Sequence, residues 1–149
     1  MPSVKSLEEQ QYYAHPQNAF WWIMSQILGF STDLGYPERV KKLQDAGVAV
    51  WDVLLCCHRE GSLDSNILRE SETPNDINAF LQRNSTIKLF GFNGGAAKAI
   101  YKRHNALLVN NHISKQLPST SPAYASITKQ QKLQAWQDVL LPYLNNKLI

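Results

Sequence analysis

Apolar positions along the chain fall into blocks that alternate between helical and strand character. Ala19 to Leu28 (AFWWIMSQIL) is apolar nearly all round, as suits a helix buried against a sheet, and Asn18 before it is a plausible N-cap. Pro37 at a first turn and Gly47 after Ala46 bracket a short amphipathic helix, PERVKKLQDA. Val48 to Cys57 (VAVWDVLLCC) is β-rich without polar alternation, which predicts a parallel strand covered on both faces. Residues 1–17 read as irregular, and 58–74 as a long polar loop with a helical turn. A helix from about Asn75 to Arg83 turns Ile77, Phe80 and Leu81 inward. Ile87 to Phe92 is the next buried strand, and Asn93-Gly94-Gly95 turns the chain into a helix from Ala96 to about His104. A third strand ends near Leu117, and a Pro/Ser/Thr cluster interrupts regular structure after it. A closing helix then carries Leu133, Trp136, Leu140, Tyr143 and Leu144 on one stripe.

Strands separated by helices, with no repeat or linker between them, predict a single domain over residues 1–149 with an α/β fold and a mostly parallel sheet. Ligands in such folds gather at the carboxyl ends of strands. The candidate site loops are therefore the segment after Cys57, the Asn93-Gly94-Gly95 turn, and Pro118 to Ala125.

Composition narrows the class. A chain of 149 residues, 44% hydrophobic and 18% charged, can bury a core that needs neither disulfide nor metal. No apolar run is long enough for a membrane span, and MPSVKSLEEQQ lacks the basic and apolar regions of a signal peptide, so a cytoplasmic protein is expected. Cys56 and Cys57 are neighbours whose side chains would point to opposite faces of a strand, which excludes a disulfide framework and a Cys-rich zinc site. His58 does not alter this, because three adjacent strand residues cannot converge on one ion. No metal and no cofactor are expected.

Charge is distributed unevenly. Residues 1–76 hold 11 acids and 6 bases, whereas 77–137 contain no Asp or Glu and carry Arg83, Lys88, Lys98, Lys102, Arg103, Lys115, Lys129 and Lys132. Asp138 and Lys147 cancel, leaving the chain at +3. Two readings fit: a face prepared for a polyanion, or solvated lysines on ordinary helices.

Tyr12-Tyr13-Ala14-His15-Pro16-Gln17-Asn18-Ala19-Phe20-Trp21 crowds aromatics, a histidine and an amide just ahead of a helix. Generic physics reads it as an aromatic staple with an N-cap. The order of residues, however, resembles the H-P-x-N-x-F-W motif of the uracil-DNA glycosylase superfamily. YYAHPQNAFW is most similar to the DNA-deoxyinosine (hypoxanthine-DNA) glycosylase branch, which is related to the mismatch-specific uracil-DNA glycosylases. Later segments agree in order: Val50-Trp51-Asp52-Val53 leading to Arg59–Ser65, Asn75-Asp76-Ile77, Phe92-Asn93-Gly94, and Leu117–Ala123.

The resemblance implies a three-layer α/β/α sandwich with a short, mostly parallel central sheet, and base excision by hydrolysis. Cleaving an N-glycosidic bond requires that the nucleotide be flipped, the base held and a water placed. Asn18 is the residue implied for positioning the water, since the superfamily's other such position lies in a G-x-x-P-[GS] loop of which only Met1-Pro2-Ser3 is present. The first strand of the family sheet is accordingly expected to be missing. His15 is the second catalytic candidate, assisting the leaving base or placing the loop. Tyr13, with Tyr12 beside it, is implied to stack on the base. Asn93 offers a donor and an acceptor to its edge, and also fits a left-handed turn before Gly94. Asp52, expected inside a strand, must be paired or line the pocket.

Leu117–Ala125 (LPSTSPAYA) resembles the superfamily's second motif. Its implied DNA contacts are Ser119, Thr120 and Ser121 on phosphates, with Pro122, Ala123 and Tyr124 as a wedge in the base stack. No lysine stands out as a Schiff-base nucleophile, so no lyase step is expected. The implied partner is DNA containing deaminated bases, bound by a monomer that is cytoplasmic and associated with the nucleoid through its DNA binding. Two other classes fit the chain less well: a truncated, catalytically weak DNA-binding relative, and a small Rossmann-type nucleotide enzyme. The second lacks G-x-G-x-x-G around Gly94, and no acid follows until Asp138 to bind a ribose.

Overall fold

The computed structural model describes residues 1–105 and 113–144, where most of the apolar blocks take the expected form. An unexpected helix, α1 (Val4–Glu8), occupies part of the segment read as irregular, and Ser3 Oγ caps it by accepting the Ser6 N–H at 3.2 Å. The central helix α2 (Phe20–Leu28) buries Ile23 and Met24 completely and stops at Gly29, whose φ of +70° is open to glycine. Helix α3 (Tyr36–Asp45) begins with Pro37 in its first turn, where Glu38 accepts the Gly35 N–H at 2.9 Å.

The Val48–Cys57 expectation is corrected. Only Leu54–Cys56 (β1) is strand, and it pairs antiparallel with Thr73–Pro74 (β2). Leu54 is buried, but Leu55 is 66% exposed and Cys56 is exposed, so this is a ribbon edge rather than a strand covered on both faces. Val48 and Val50 pack on one core and Val53 on another, which explains the unbroken apolar run without a strand. Asp52 therefore precedes β1 instead of lying inside it.

Asp76 caps α4 (Ile77–Arg83) by accepting the Ala79 N–H at 2.8 Å. Strand β3 (Leu89–Asn93) leads through Gly94 into α5 (Gly95–His104). Strand β4 (Ile113–Leu117) lies parallel to β3, in register from Leu89 opposite Ile113 to Asn93 opposite Leu117. Thr128 and Gln131 cap each other's backbone at the start of α6 (Lys129–Leu140). Leu133 and Trp136 are buried on its stripe, but Tyr143 is 38% exposed.

Among the described residues the strands form two separate two-stranded sheets, the antiparallel β1–β2 ribbon and the parallel β3–β4 pair. The α/β class holds, but the single central parallel sheet is reduced to β3–β4. This pair contributes to both cores: Leu117 joins α2, α3 and α6 in one cluster, and Phe92 joins Ile77, Leu81 and Tyr101 in the other. The carboxyl ends of β3 and β4 thus emerge side by side, and their first loop residues are held in fixed relation. No helix among the described residues is long and apolar enough to cross a membrane.

Candidate active site

The two motifs meet at the amino end of α2. His15 shapes the approach, its carbonyl accepting the Asn18 N–H at 2.9 Å and its Nδ1 accepting the Gln17 N–H at 3.2 Å. The N-cap of α2 is Ala19 rather than the expected Asn18, but from the position before it Asn18 Oδ1 accepts the Phe20 N–H at 3.0 Å and so satisfies a free N–H of the first turn. This leaves its amide nitrogen without a partner among the described residues, and a carbonyl oxygen has a second lone pair. This bond therefore orients the amide without exhausting it.

Ala19, one residue on, sends its N–H across to the Thr120 carbonyl at 2.9 Å. Thr120 in turn is gripped by Asn93, whose Oδ1 accepts the Thr120 N–H at 2.9 Å while its Nδ2 donates to Thr120 Oγ1 at 2.8 Å. Thr120 is 1% exposed, and its carbonyl, its N–H and its hydroxyl oxygen are all committed inward, so its burial stands against the expected DNA contact. It is the hub that ties the end of β3, the second motif and the start of α2 together. A threonine in a Ser/Thr cluster carried no sequence signal for that role.

Tyr13 adopts φ +56°, a left-handed conformation uncommon for an aromatic residue. The turn is over-determined by its neighbours. The Ala14 N–H donates to the buried Ser6 Oγ at 3.1 Å, the Tyr12 N–H donates to the Tyr36 hydroxyl at 3.1 Å, and Trp21 Nε1 donates to the Tyr12 carbonyl at 2.9 Å. Tyr13 stacks on Phe20 with ring centroids 4.0 Å apart. Strain held by surrounding contacts is a common property of functional loops.

Electrostatics place Tyr12, Tyr13, Asn93 and Asp52 in one neighbourhood. Burial, and after it the Asp52 carboxylate, push the Tyr12 hydroxyl up to about 12. Burial also lifts the Tyr13 hydroxyl to about 12 against a hydrogen bond with the Asn93 side chain, with Asp52 adding to the rise. The Asp52 carboxyl is itself raised, chiefly by burial. Behind it Arg59, 7% exposed, joins Asp64 at 2.8 Å and donates to the Pro2 carbonyl, fastening the N-terminal segment to the loop after β1. Ser6, Tyr36 and Arg59 were all missed as site supports, since nothing in the sequence separates a buried serine or arginine from an exposed one.

The second-motif loop is braced by its own hydroxyls. Ser119 Oγ accepts the Ser121 N–H and Ser121 Oγ accepts the Ala123 N–H, both at 3.2 Å, leaving each hydroxyl proton free. Pro122, Ala123 and Tyr124 are exposed at its tip. A cleft of about 250 Å³ opens between Gly94, Gly95, Gln116, Ser119 and Tyr124, where the carboxyl ends of β3 and β4 emerge. Its walls do not include Tyr13, Asn18 or Asn93, so it lies on the side of the loop after β4.

Gly94 permits this approach. Its φ is +93°, and a Cβ there would lie 3.1 Å from Ser119 Cβ, whereas one on Gly95 would meet only the flexible Gln116 amide at 3.4 Å. Gly94→Ala is expected to lower stability by about 1–3 kcal/mol and Gly95→Ala to be neutral or stabilising, as read by thermal unfolding. Equal effects at the two positions would show that the close approach does not matter.

Two of the cations in the acid-free stretch are spent internally. Arg103 pairs with Glu72, which also bonds His104 at 2.7 Å, and Lys132 is buried beneath the loop. Arg83, Lys88, Lys102, Lys115 and Lys129 are exposed and Lys98 is half-buried. Among the described residues none of these six is ion-paired, so the basic stretch leaves most of its charge available to a polyanion.

Residues 1–145 match the family model of the uracil DNA glycosylase superfamily. The chain is 32% identical over 141 residues to a hypoxanthine DNA glycosylase of Methanosarcina acetivorans, a match covering 93% of this chain and 85% of that protein. It is also 32% identical over 95 residues to a hypoxanthine DNA glycosylase of Methanosarcina barkeri, covering 63% and 59% of the two. Its fold matches a solution NMR structure of a candidate uracil DNA glycosylase from Methanosarcina acetivorans with a TM-score of 0.76 at 30% identity, over 95% of this chain and 85% of that one. The chain thus belongs to the uracil DNA glycosylase superfamily and is a DNA glycosylase.

Proposed function

We propose that the protein removes hypoxanthine, and uracil, from DNA by hydrolysis, acting as a monomer on the cell's own DNA. The observation that carries this reading is the Asn93–Thr120–Ala19 hydrogen-bond chain, which brings the ends of both motifs to one point. In this reading the nucleotide is flipped out of the duplex and its base is held beside Tyr13, with Asn93 at the edge. Hypoxanthine and uracil each present an adjacent N–H and carbonyl, which suit an amide that both donates and accepts. Asn18 holds the attacking water through its free lone pair. The sugar becomes cation-like as the bond breaks, and the departing base carries the developing negative charge, so a strong general base is unnecessary. His15 acts by building the turn that fixes Asn18. Ser119 and Ser121 donate to the flanking phosphates while Pro122, Ala123 and Tyr124 fill the vacated stack.

The test is single-turnover base release from oligonucleotides carrying deoxyinosine, uracil opposite G, and uracil opposite T. Release is expected from deoxyinosine and from at least one uracil duplex. No release from any of them would sink the reading in favour of a DNA-binding relative without activity. The six unpaired cations predict a strong salt dependence. If between three and five of them neutralise phosphates, the slope of log K against log salt concentration is about −2.7 to −4.5. A slope near zero in a titration with duplex DNA would remove the basic stretch from the interface.

A further inference from the structure

Among the described residues Lys132 is the one cation of the acid-free stretch that is buried, and its surroundings point to a task. It is 5% exposed, one helical turn before Trp136 on the buried face of α6. Its Nζ donates to the Tyr124 carbonyl at 2.6 Å and to the Ser121 carbonyl at 3.2 Å, and lies 5.2 Å from the centre of the Tyr124 ring. The Ser121 carbonyl also accepts the Tyr124 N–H at 3.1 Å, so the ammonium closes the turn that bears the exposed tip. Trp136 Nε1 donates to the Pro118 carbonyl at 2.9 Å, gripping the other end of the same loop. Two donors four residues apart on one rigid helix therefore hold the loop at both ends.

Burial of an ammonium is costly unless its donors are satisfied. No carboxylate pairs with Lys132 among the described residues; carbonyl dipoles alone accept its protons. A methionine would fill the same volume without that desolvation cost. An interior lysine at this place is thus explained by what it does to the loop: it draws two carbonyls inward, which leaves the hydroxyls of Ser119 and Ser121 and the ring of Tyr124 on the outer side.

We propose that Lys132 is a positioning residue for base flipping: resting on the glycosylase reading above, it presets the 118–124 loop so that the tip can enter the stack and hold the extruded nucleotide. It touches neither base nor sugar, so its loss should fall on extrusion rather than on bond cleavage.

The experiment compares deoxyinosine in a fully paired duplex with deoxyinosine in an unpaired three-nucleotide bubble, where flipping costs little. Parent, Lys132→Met and Lys132→Arg are assayed under single turnover after their folding is checked by thermal unfolding. Lys132→Met is expected to lose at least tenfold on the duplex, mostly as weaker apparent affinity, and less than threefold on the bubble. Lys132→Arg, which keeps charge and donors, should recover most of the duplex rate. Equal losses on duplex and bubble, or no loss on either, would overturn the proposal. If Lys132→Met does not fold, Lys132→Gln is put through the same comparison with the same criteria. Inactivity of the parent on both substrates would instead be a failure of the glycosylase reading.

Discussion

Replacing Asn18 by Ala is expected to reduce single-turnover base release by about 10²- to 10³-fold while the protein remains folded, the range typical of losing one preorganised catalytic contact. The bond from the Phe20 N–H to Asn18 Oδ1 makes a stability effect unavoidable. Loss of such a bond costs about 1 kcal/mol, a fall in Tm of roughly 2–4 °C for a domain of this size. That is far too small to account for a hundredfold loss among folded molecules at 25 °C. Asn18→Asp separates the two roles further. Aspartate accepts the Phe20 N–H as well as asparagine does, so stability should be retained, and a carboxylate still accepts a hydrogen bond from water. Its activity is expected to lie above that of Asn18→Ala. If Asn18→Ala melts earlier yet releases base at the parent rate per folded molecule, Asn18 supports the start of the helix and nothing more.

The second large effect is expected at Asn93, where two substitutions should fail for different reasons. Asn93→Ala removes the acceptor of the Thr120 N–H and the donor to Thr120 Oγ1 in a region where Thr120 is 1% exposed. An orphaned buried N–H costs about 1–3 kcal/mol, and the loop should loosen with it. Asn93→Asp keeps both contacts, because a carboxylate accepts the N–H and the threonine hydroxyl can turn its proton toward the other oxygen. It should fold nearly as well as the parent. Its base release should nevertheless fall by at least about 10²-fold, since the amide donor is gone and a negative charge faces a base that departs with its electrons. The protonated form regains a donor, so the defect of Asn93→Asp should shrink as the pH is lowered and grow as it is raised. A variant as active as the parent at neutral pH would remove Asn93 from base recognition and leave it only as the clamp on Thr120.

Helices α2 to α6 were legible because each announces itself locally, whereas α1 was not foreseen. Asp76 and Thr128 cap their helices with their own side chains, Pro37 opens α3, Gly29 closes α2, and the apolar stripe of α6 repeats at helical spacing. The β3–turn–α5 unit was legible for the same reason. Val48–Cys57 misled because an apolar run records burial and not strand pairing: Val48, Val50 and Val53 reach two different cores from a mostly irregular segment. In the site, the order of Tyr13, Asn18 and the Pro122–Tyr124 segment was legible, but the burial of Thr120 and Lys132 was not, since Thr120 looked like another loop hydroxyl and Lys132 like another surface cation. A helical wheel of α6 does carry a signal for Lys132, which shares a face with Leu133 and Trp136.

What the sequence by itself determined is the set of local choices and the order of the motifs. Caps, turns and helical stripes depend on residues a few positions apart, whose geometry the covalent chain already constrains. Only the tertiary structure decided which polar groups are spent on one another. Asn93 and Thr120 are 27 residues apart and Lys132 stands 11 residues from Ser121, and no local rule says that these groups meet away from water. Once buried, each unpaired donor or acceptor is costly, so these distant pairs form together and convert separate sequence motifs into one site.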